Sequence, residues 1–268
     1  MNQLFADLAL ARRLERTEGH GNAAFVEAQA RIDPASGAIW KRAGGTFAMF
    51  AGVGSPITQT FGLGIHEPLV ERDLDAIERF FRTRGSAVFH ETCPLAGVEV
   101  FATLARRGYV PCELSTVLFQ PIDASTRIEN ASGLHVRIVD TSEAALYAKT
   151  SAKGWSEHPE FMPYIERFAQ LSVTVATCFI AEKDGQAIAT AALFTHEGTA
   201  LLAGASTIPS GRRQGAQNAL LDARLRHAAS NGCDLAMMVA GPGSASQRNA
   251  ERQGFRIAYT RTKWQLDV

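Results

Sequence analysis

Apolar and polar positions change period along this chain, and the second half is the easier to read. An extended run at residues 135–139 leads into a helical stretch at 141–153, with Thr141 or Ser142 placed to cap it, and a second helical stretch at 161–171. Three extended runs follow at 177–182, 187–195 and 199–207. Asp184-Gly185 and Glu197-Gly198 join them, the pairs that tight hairpins require. After a loop at 208–211, a helix at 216–230 ends at Asn231-Gly232, a left-handed stop. A strand at 234–239, a helix at 244–253 and one or two strands within 255–266 close the chain.

The first half opens with an amphipathic helix at 1–16, in which Leu4, Leu8 and Leu14 alternate with Asp7, Arg12, Arg13 and Glu15. With these charges the segment is expected to be an amphipathic helix rather than a signal peptide. Strands at 37–41, 46–51 and 57–62 are joined by glycine-rich turns; a helix at 73–83 stops at Gly85. A strand at 87–92, a helix at 98–107 stopping at Gly108, and an extended run at 110–120 complete this half. The halves superimpose in order: Gly85 with Gly232, Pro94 with Pro242, and Arg107-Gly108-Tyr109 with Gln253-Gly254-Phe255. Similarity at a fixed offset is the mark of duplication. The polar, irregular stretch at 121–133 suits a boundary, giving expected domains at 1–125 and 133–268. The expected class is α/β (α+β), two tandem domains, each a mixed, mostly antiparallel sheet flanked by helices.

Composition narrows the function. Of the 268 residues, 46% are hydrophobic and 20% charged, enough for a packed core. The 27 basic and 27 acidic side chains cancel, so no global field draws in nucleic acid or an anionic membrane, and any anion site is local. Cys93, Cys112, Cys178 and Cys233 form no C-x-x-C pair; no metal is expected, and a reducing, cytoplasmic compartment is. No apolar run reaches the roughly 20 residues that span a bilayer.

The segment from Thr207 to Asn218 carries the strongest chemical signal. It follows a strand and opens a helix, Gly211 and Gly215 allow close approach of the backbone, and Arg212 and Arg213 add charge. Successive N–H groups at a helix start, aligned with its dipole, bind anions, and a pyrophosphate is the natural guest. Neither G-x-G-x-x-G nor G-K-[ST] is present, and hairpins rather than a βαβ unit precede the loop. A turn and helix cap with no ligand is the competing reading.

Here the sequence resembles the GNAT superfamily of N-acetyltransferases, whose R/Q-x-x-G-x-G/A opens the helix after the fourth strand. Arg212-Arg213-Gln214-Gly215-Ala216-Gln217 matches except at its last place, where Gln217 replaces Gly or Ala; Thr207-Ile208-Pro209 stands where Val-x-Pro is usual, and Arg252-Gln253-Gly254-Phe255 supplies the terminal Gly-Phe. The resemblance covers the second half and implies acetyl-CoA as cosubstrate. Its pyrophosphate would lie on N–H groups from Arg213 to Asn218. Its pantetheine arm would pair with Ser206 and Thr207 and touch Ser246 and Asn249, with Arg248 and Arg252 toward the ribose phosphate. The family's usual acid, a Tyr, falls at Ala250, which leaves Tyr259 or Ser206 as proton source. Trp155, Glu157 and His158 lie where the family gates its substrate. In the first half the matching loop, Gly64 to Val70, has Pro68 in the place of Gly215, carries Glu67 and holds no Arg, so that half is expected to be a degenerate GNAT-like domain.

The leading expectation is acetyl transfer to a primary amine of a small molecule, since neutral net charge argues against a highly charged polymer. A CoA-binding sensor or scaffold without turnover, and transfer of a longer acyl group, remain open, as do the acceptor and the oligomeric state.

Overall fold

The computed structural model describes residues 4–128 and 133–267, arranged as two compact units. The first unit comprises residues up to Gln120 together with Val239–Val268; the second is Pro121–Met238. The terminal helix and strand that the sequence reading grouped with the second half thus belong, by compactness, to the first unit. Each unit is a mixed, mostly antiparallel sheet with helices, as expected.

In the first unit the strands β1 (Ile39–Ala43), β2 (Thr46–Phe50), β3 (Gln59–Phe61), β4 (Val88–Thr92), β5 (Val110–Pro121) and β11 (Arg256–Leu266) lie in the order β1-β2-β3-β4-β11-β5, all antiparallel except β3 with β4. The closing segment is one strand with two register shifts, at Ile257/Tyr259 and Lys263/Trp264. Helices α1 (Leu8–Ile32), α2 (Glu71–Arg82), α3 (Val98–Arg106) and α7 (Ala245–Arg252) pack around it. All five residues of β2 are buried because both its faces are covered. Ala48 and Phe50 join Leu74, Ile77, Phe81 and Leu104 in the core under α2 and α3, while Phe47, one residue out of phase, lies against Gly19 of α1.

The first helix corrects the expectation. It does not end near residue 16 but runs from an Asp7 cap, whose carboxylate accepts from Leu10 N at 2.9 Å, to Ile32. Gly19, costly in a helix interior by about 1 kcal/mol, is what lets it approach the sheet: a Cβ there would sit 2.7 Å from the Phe47 ring. Met1 to Gln3 of the expected helix lie outside the described residues.

In the second unit β6 (His135–Ile138), β7 (Thr177–Lys183), β8 (Gln186–His196), β9 (Thr199–Thr207) and β10 (Leu235–Ala240) follow the order β10-β9-β8-β7-β6, antiparallel except β9 with β10. Helices α4 (Ala144–Lys153) and α5 (Met162–Ser172) enclose Tyr147, Ala169, Cys178, Ile180 and Ala192. Phe179, pointing the other way from β7, meets His227 of α6 (Ala216–Ser230) edge-on at 5.6 Å. The helical stretch after β6 is capped by Asp140, not Thr141 or Ser142: Asp140 accepts from Ser142 N while Glu143 reaches back to Asp140 N, a reciprocal box that opens a 3₁₀ turn. The expected linker is anchored where it is described. Ile122 and Ile128 are buried, Ile122 N donates to Asp234 O and Ile128 N to Asp222 Oδ1; residues 129–132 lie outside the described set.

Candidate functional site

The site in the second unit grows from an irregularity in β9. Ala192 pairs with Ala203 and Thr190 with Ser206, so Gly204 and Ala205 together oppose the single residue Ala191. This is a β-bulge, and Gly204 takes φ +60°, a conformation that suits glycine. On the other edge of β9 the parallel partner β10 pairs only as far as Met237 with Leu201. Beyond that point the two strands part, and Ala203, Gly204 and Ala205 are exposed. The sequence reading missed this bulge, for which an isolated glycine inside a strand pattern is the available signal.

Beneath the bulge lies Arg224 of α6, 4% exposed. Its Nε donates to Leu220 O at 3.2 Å, and its Nη1 to Ala192 O at 3.3 Å and Ala203 O at 3.5 Å. Burial lowers its pKa to about 10, so it stays charged at neutral pH. Nothing in the sequence pattern marked this arginine.

After Thr207 the chain turns through a 3₁₀ segment, Pro209–Gly211, in which buried Gly211 fits against Ile188 with no room for a Cβ. Arg213 takes φ +60° and Gly215, the N-cap of α6, φ +81°. No side chain caps α6, and its first turn holds no acid. The opening N–H groups of a helix have no intrahelical partner, so Ala216, Gln217 and Asn218 present donors at the positive end of a 15-residue dipole. Around them, Lys183 Nζ donates to Gln214 Oε1 at 2.7 Å, Gln214 Nε2 to Ser210 O, and Gln217 Nε2 to Thr207 Oγ1 at 2.6 Å. Lys183, at the end of β7, is a cation that the sequence reading did not place here. The charge and free donors of this loop suit an anion.

The loop and the expected gate meet. A cleft of about 300 Å³ is lined by Gly154, Trp155, Glu157 and His158 on one side and by Ala205, Ser206, Thr207 and Arg212 on the other. Arg212 Nη1 pairs with Glu157 Oε2 at 2.7 Å, and its Nη2 donates to Gly154 O at 3.2 Å. Gly154, also missed from sequence, lies so close to Ser206 that a Cβ would fall on its Oγ. The Ser206 hydroxyl donates to Ser151 O at 2.8 Å.

The remaining expected residues stand in the first unit. Ser246 is exposed and Asn249 half-buried on α7, which Ser244 caps through Gln247 N. Ala250 is buried. Tyr259 is buried too, and its hydroxyl donates to Glu15 Oε1 at 2.9 Å, with burial raising its pKa well above the usual tyrosine value. The loop of the first half differs from its counterpart: Ile65 turns its carbonyl to Arg12 Nε, and α2 carries Glu71 and Asp73 in its first turn.

Solved structures share this architecture. A GCN5-related N-acetyltransferase from Kribbella flavida aligns over 95% of both chains at 19% identity with a TM-score of 0.63. A tandem GNAT protein from the clavulanic acid biosynthesis pathway, without AcCoA, covers 84% of this chain and 80% of its own at 15% identity and TM-score 0.58. A GCN5-related N-acetyltransferase from Sphaerobacter thermophilus covers 78% and 74% at 17% identity and TM-score 0.51. At these identities the likeness is one of fold. No curated protein matches the sequence. Residues 143–255, which hold the bulged strand, the arginine loop, the uncapped helix and the Gly-Phe ending, match the Acetyltransferase (GNAT) family, and the chain shares its fold with a tandem GNAT protein.

Proposed function

We propose that this protein is an acetyl-CoA-dependent N-acetyltransferase that transfers an acetyl group to a primary amine of a small molecule. We further propose that its halves arose by duplication, with residues 133–268 carrying the acetyl-CoA site and residues 1–125 a degenerate GNAT-like domain. The observation that carries the reading is the uncapped, acid-free start of α6 at Gly215, flanked by Arg212, Arg213 and Lys183 and preceded by a bulged strand with an open edge. The acid-bearing first turn of α2 supports the contrast between the halves. Four free cysteines agree with a reducing cytoplasm.

In this reading Ala216, Gln217 and Asn218 hold the pyrophosphate with Arg212, Arg213 and Gln214 beside it, and Ser206 and Thr207 align the pantetheine arm. Trp155, Glu157 and His158 shape the acceptor side. Acetyl-CoA supplies the thioester; the protein holds an amine against it and donates backbone N–H groups to the oxygen that gains charge. The C–N bond forms as the C–S bond breaks; the amine nitrogen releases one proton to solvent and the departing thiolate takes one up. Ser206 is the candidate donor once its hydroxyl turns from Ser151, with solvent as alternative. Tyr259, whose proton is directed to Glu15, is assigned a structural part.

A second reading, a CoA-binding sensor without turnover, is favoured by Ala250 at the family's tyrosine position. Calorimetry with CoA alongside acetyl-CoA turnover against a panel of amines decides. Binding with turnover supports the enzyme, binding without turnover the sensor, and no binding removes both.

A further inference from the structure

Arg224 is a charge placed where charge is expensive. It is buried in α6, and its hydrogen bonds go only to backbone carbonyls, those of Leu220, Ala192 and Ala203. No carboxylate is paired with it among the described residues, whereas Arg261, the other deeply buried arginine, has Glu15, Glu18 and Glu91 around it. A buried guanidinium without a counter-ion costs several kcal/mol in desolvation, and packing alone gives no reason to keep it. A methionine or leucine would fill the space under the sheet.

Its position supplies a reason. Ala203 O and Gly204 N–H are the two ends of one peptide group. That group lies at the bulge, where β9 is out of register with β8 and has lost β10. A cation held at the carbonyl end draws electron density toward the oxygen, and the N–H at the far end becomes a stronger donor. The contact of 3.5 Å is long for a hydrogen bond and acts mainly as a charge–dipole interaction. The guanidinium is itself out of water, so its field at the bulge is weakly screened. Ala192 O, across the strand pair, fixes the other arm of the fork, and Leu220 O orients Nε within α6.

Building on the acetyltransferase reading, we propose that Arg224 is a positioning residue for acyl transfer: from beneath the sheet it polarises the Ala203–Gly204 peptide, so that Gly204 N–H stabilises the negative charge that develops on the thioester carbonyl oxygen. Arg224 touches neither reactant and acts through one peptide group. Its effect belongs to the reaction step rather than to CoA affinity.

The test compares Arg224→Met, which keeps most of the length and removes the charge, with Arg224→Lys, which keeps the charge. Expected for Arg224→Met is a kcat lower by about 10²-fold, the scale of losing one oxyanion donor, with CoA affinity within about threefold of wild type. Arg224→Lys recovers most of the rate. A second readout needs no turnover. Infrared spectra of the bound ketone analogue of acetyl-CoA, with CH₂ in place of sulfur, show its carbonyl stretch lowered in the wild type and in Arg224→Lys, and returned toward the solution value in Arg224→Met. Unchanged kcat in Arg224→Met, equal losses in both variants, or a stretch that ignores the substitution each overturn the proposal. A wild-type protein that binds neither CoA nor the ketone overturns the acetyltransferase reading first, and is told apart because no bound spectrum is obtained.

Discussion

Gly215 holds φ +81° where the phosphate loop becomes α6, and a proline, fixed near −65°, cannot follow it there. Gly215→Pro is expected to abolish CoA binding while circular dichroism still reports a folded protein; near-native affinity by calorimetry would reduce the loop to a cap. Tyr259 illustrates how a single partner changes an expectation. From sequence alone its closeness to the terminal Gly-Phe makes it a candidate acid. In the structure its hydroxyl is buried and bonded to Glu15. Tyr259→Phe leaves that carboxyl oxygen without its donor, so stability should drop by about 1–3 kcal/mol, read as a lower midpoint in urea, with kcat at 25 °C unchanged. A rate that falls about 10²-fold with unaltered stability would restore Tyr259 as the acid.

Among the elements, the turn between α4 and α5 and the loop before α6 are tied by one exposed ion pair, Glu157 with Arg212. Arg212 is also a proposed pyrophosphate contact, so Glu157 competes for it. Replacing Glu157 with Gln should tighten CoA binding about three- to fivefold, the scale of an exposed ion pair, and leave pantetheine, which lacks the pyrophosphate, unaffected. Equal affinities in wild type and variant would mean the pair is incidental. The elements themselves were largely legible. β9 and α6 run as the pattern predicts, because their period and the stops at Gly198 and Asn231-Gly232 agree. Two features were hidden for physical reasons. The continuation of α1 through Gly19 and Gly21 depends on contact with Phe47, a tertiary effect that overrides a poor local propensity. Lys183, Gly154 and Arg224 enter the site through strand and helix neighbours far away in sequence, and no local period encodes that.

On the scale of the whole molecule, the contrast between the starts of α6 and α2 predicts one CoA per chain, and two equivalent sites in calorimetry would mean that the first half still binds. The chain also closes on itself within the first unit: Glu15 and Glu18, near its beginning, meet Tyr259 and Arg261, near its end. Glu15 is the strained member. Burial raises its pKa to about 7, with Glu18 and Glu91 adding to the rise and Arg261 and Tyr259 opposing it. Unfolded, it would titrate near 4.5. Below that value both states hold the proton and the folded state bears no penalty. As pH rises toward 7, the unfolded chain releases the proton and the folded chain retains it, so stability falls; above 7 the loss is complete and levels off. The displacement is worth about 3 kcal/mol at most. Glu15→Gln keeps an acceptor for Tyr259 and removes the proton, so this part of the slope should vanish. Urea unfolding of both proteins from pH 4.5 to 8 should show the variant gaining on the wild type steadily up to about pH 7 and no further. A gap between them that stays constant across that range would mean that Glu15 is ionised in the folded protein throughout, held by Arg261 despite its burial.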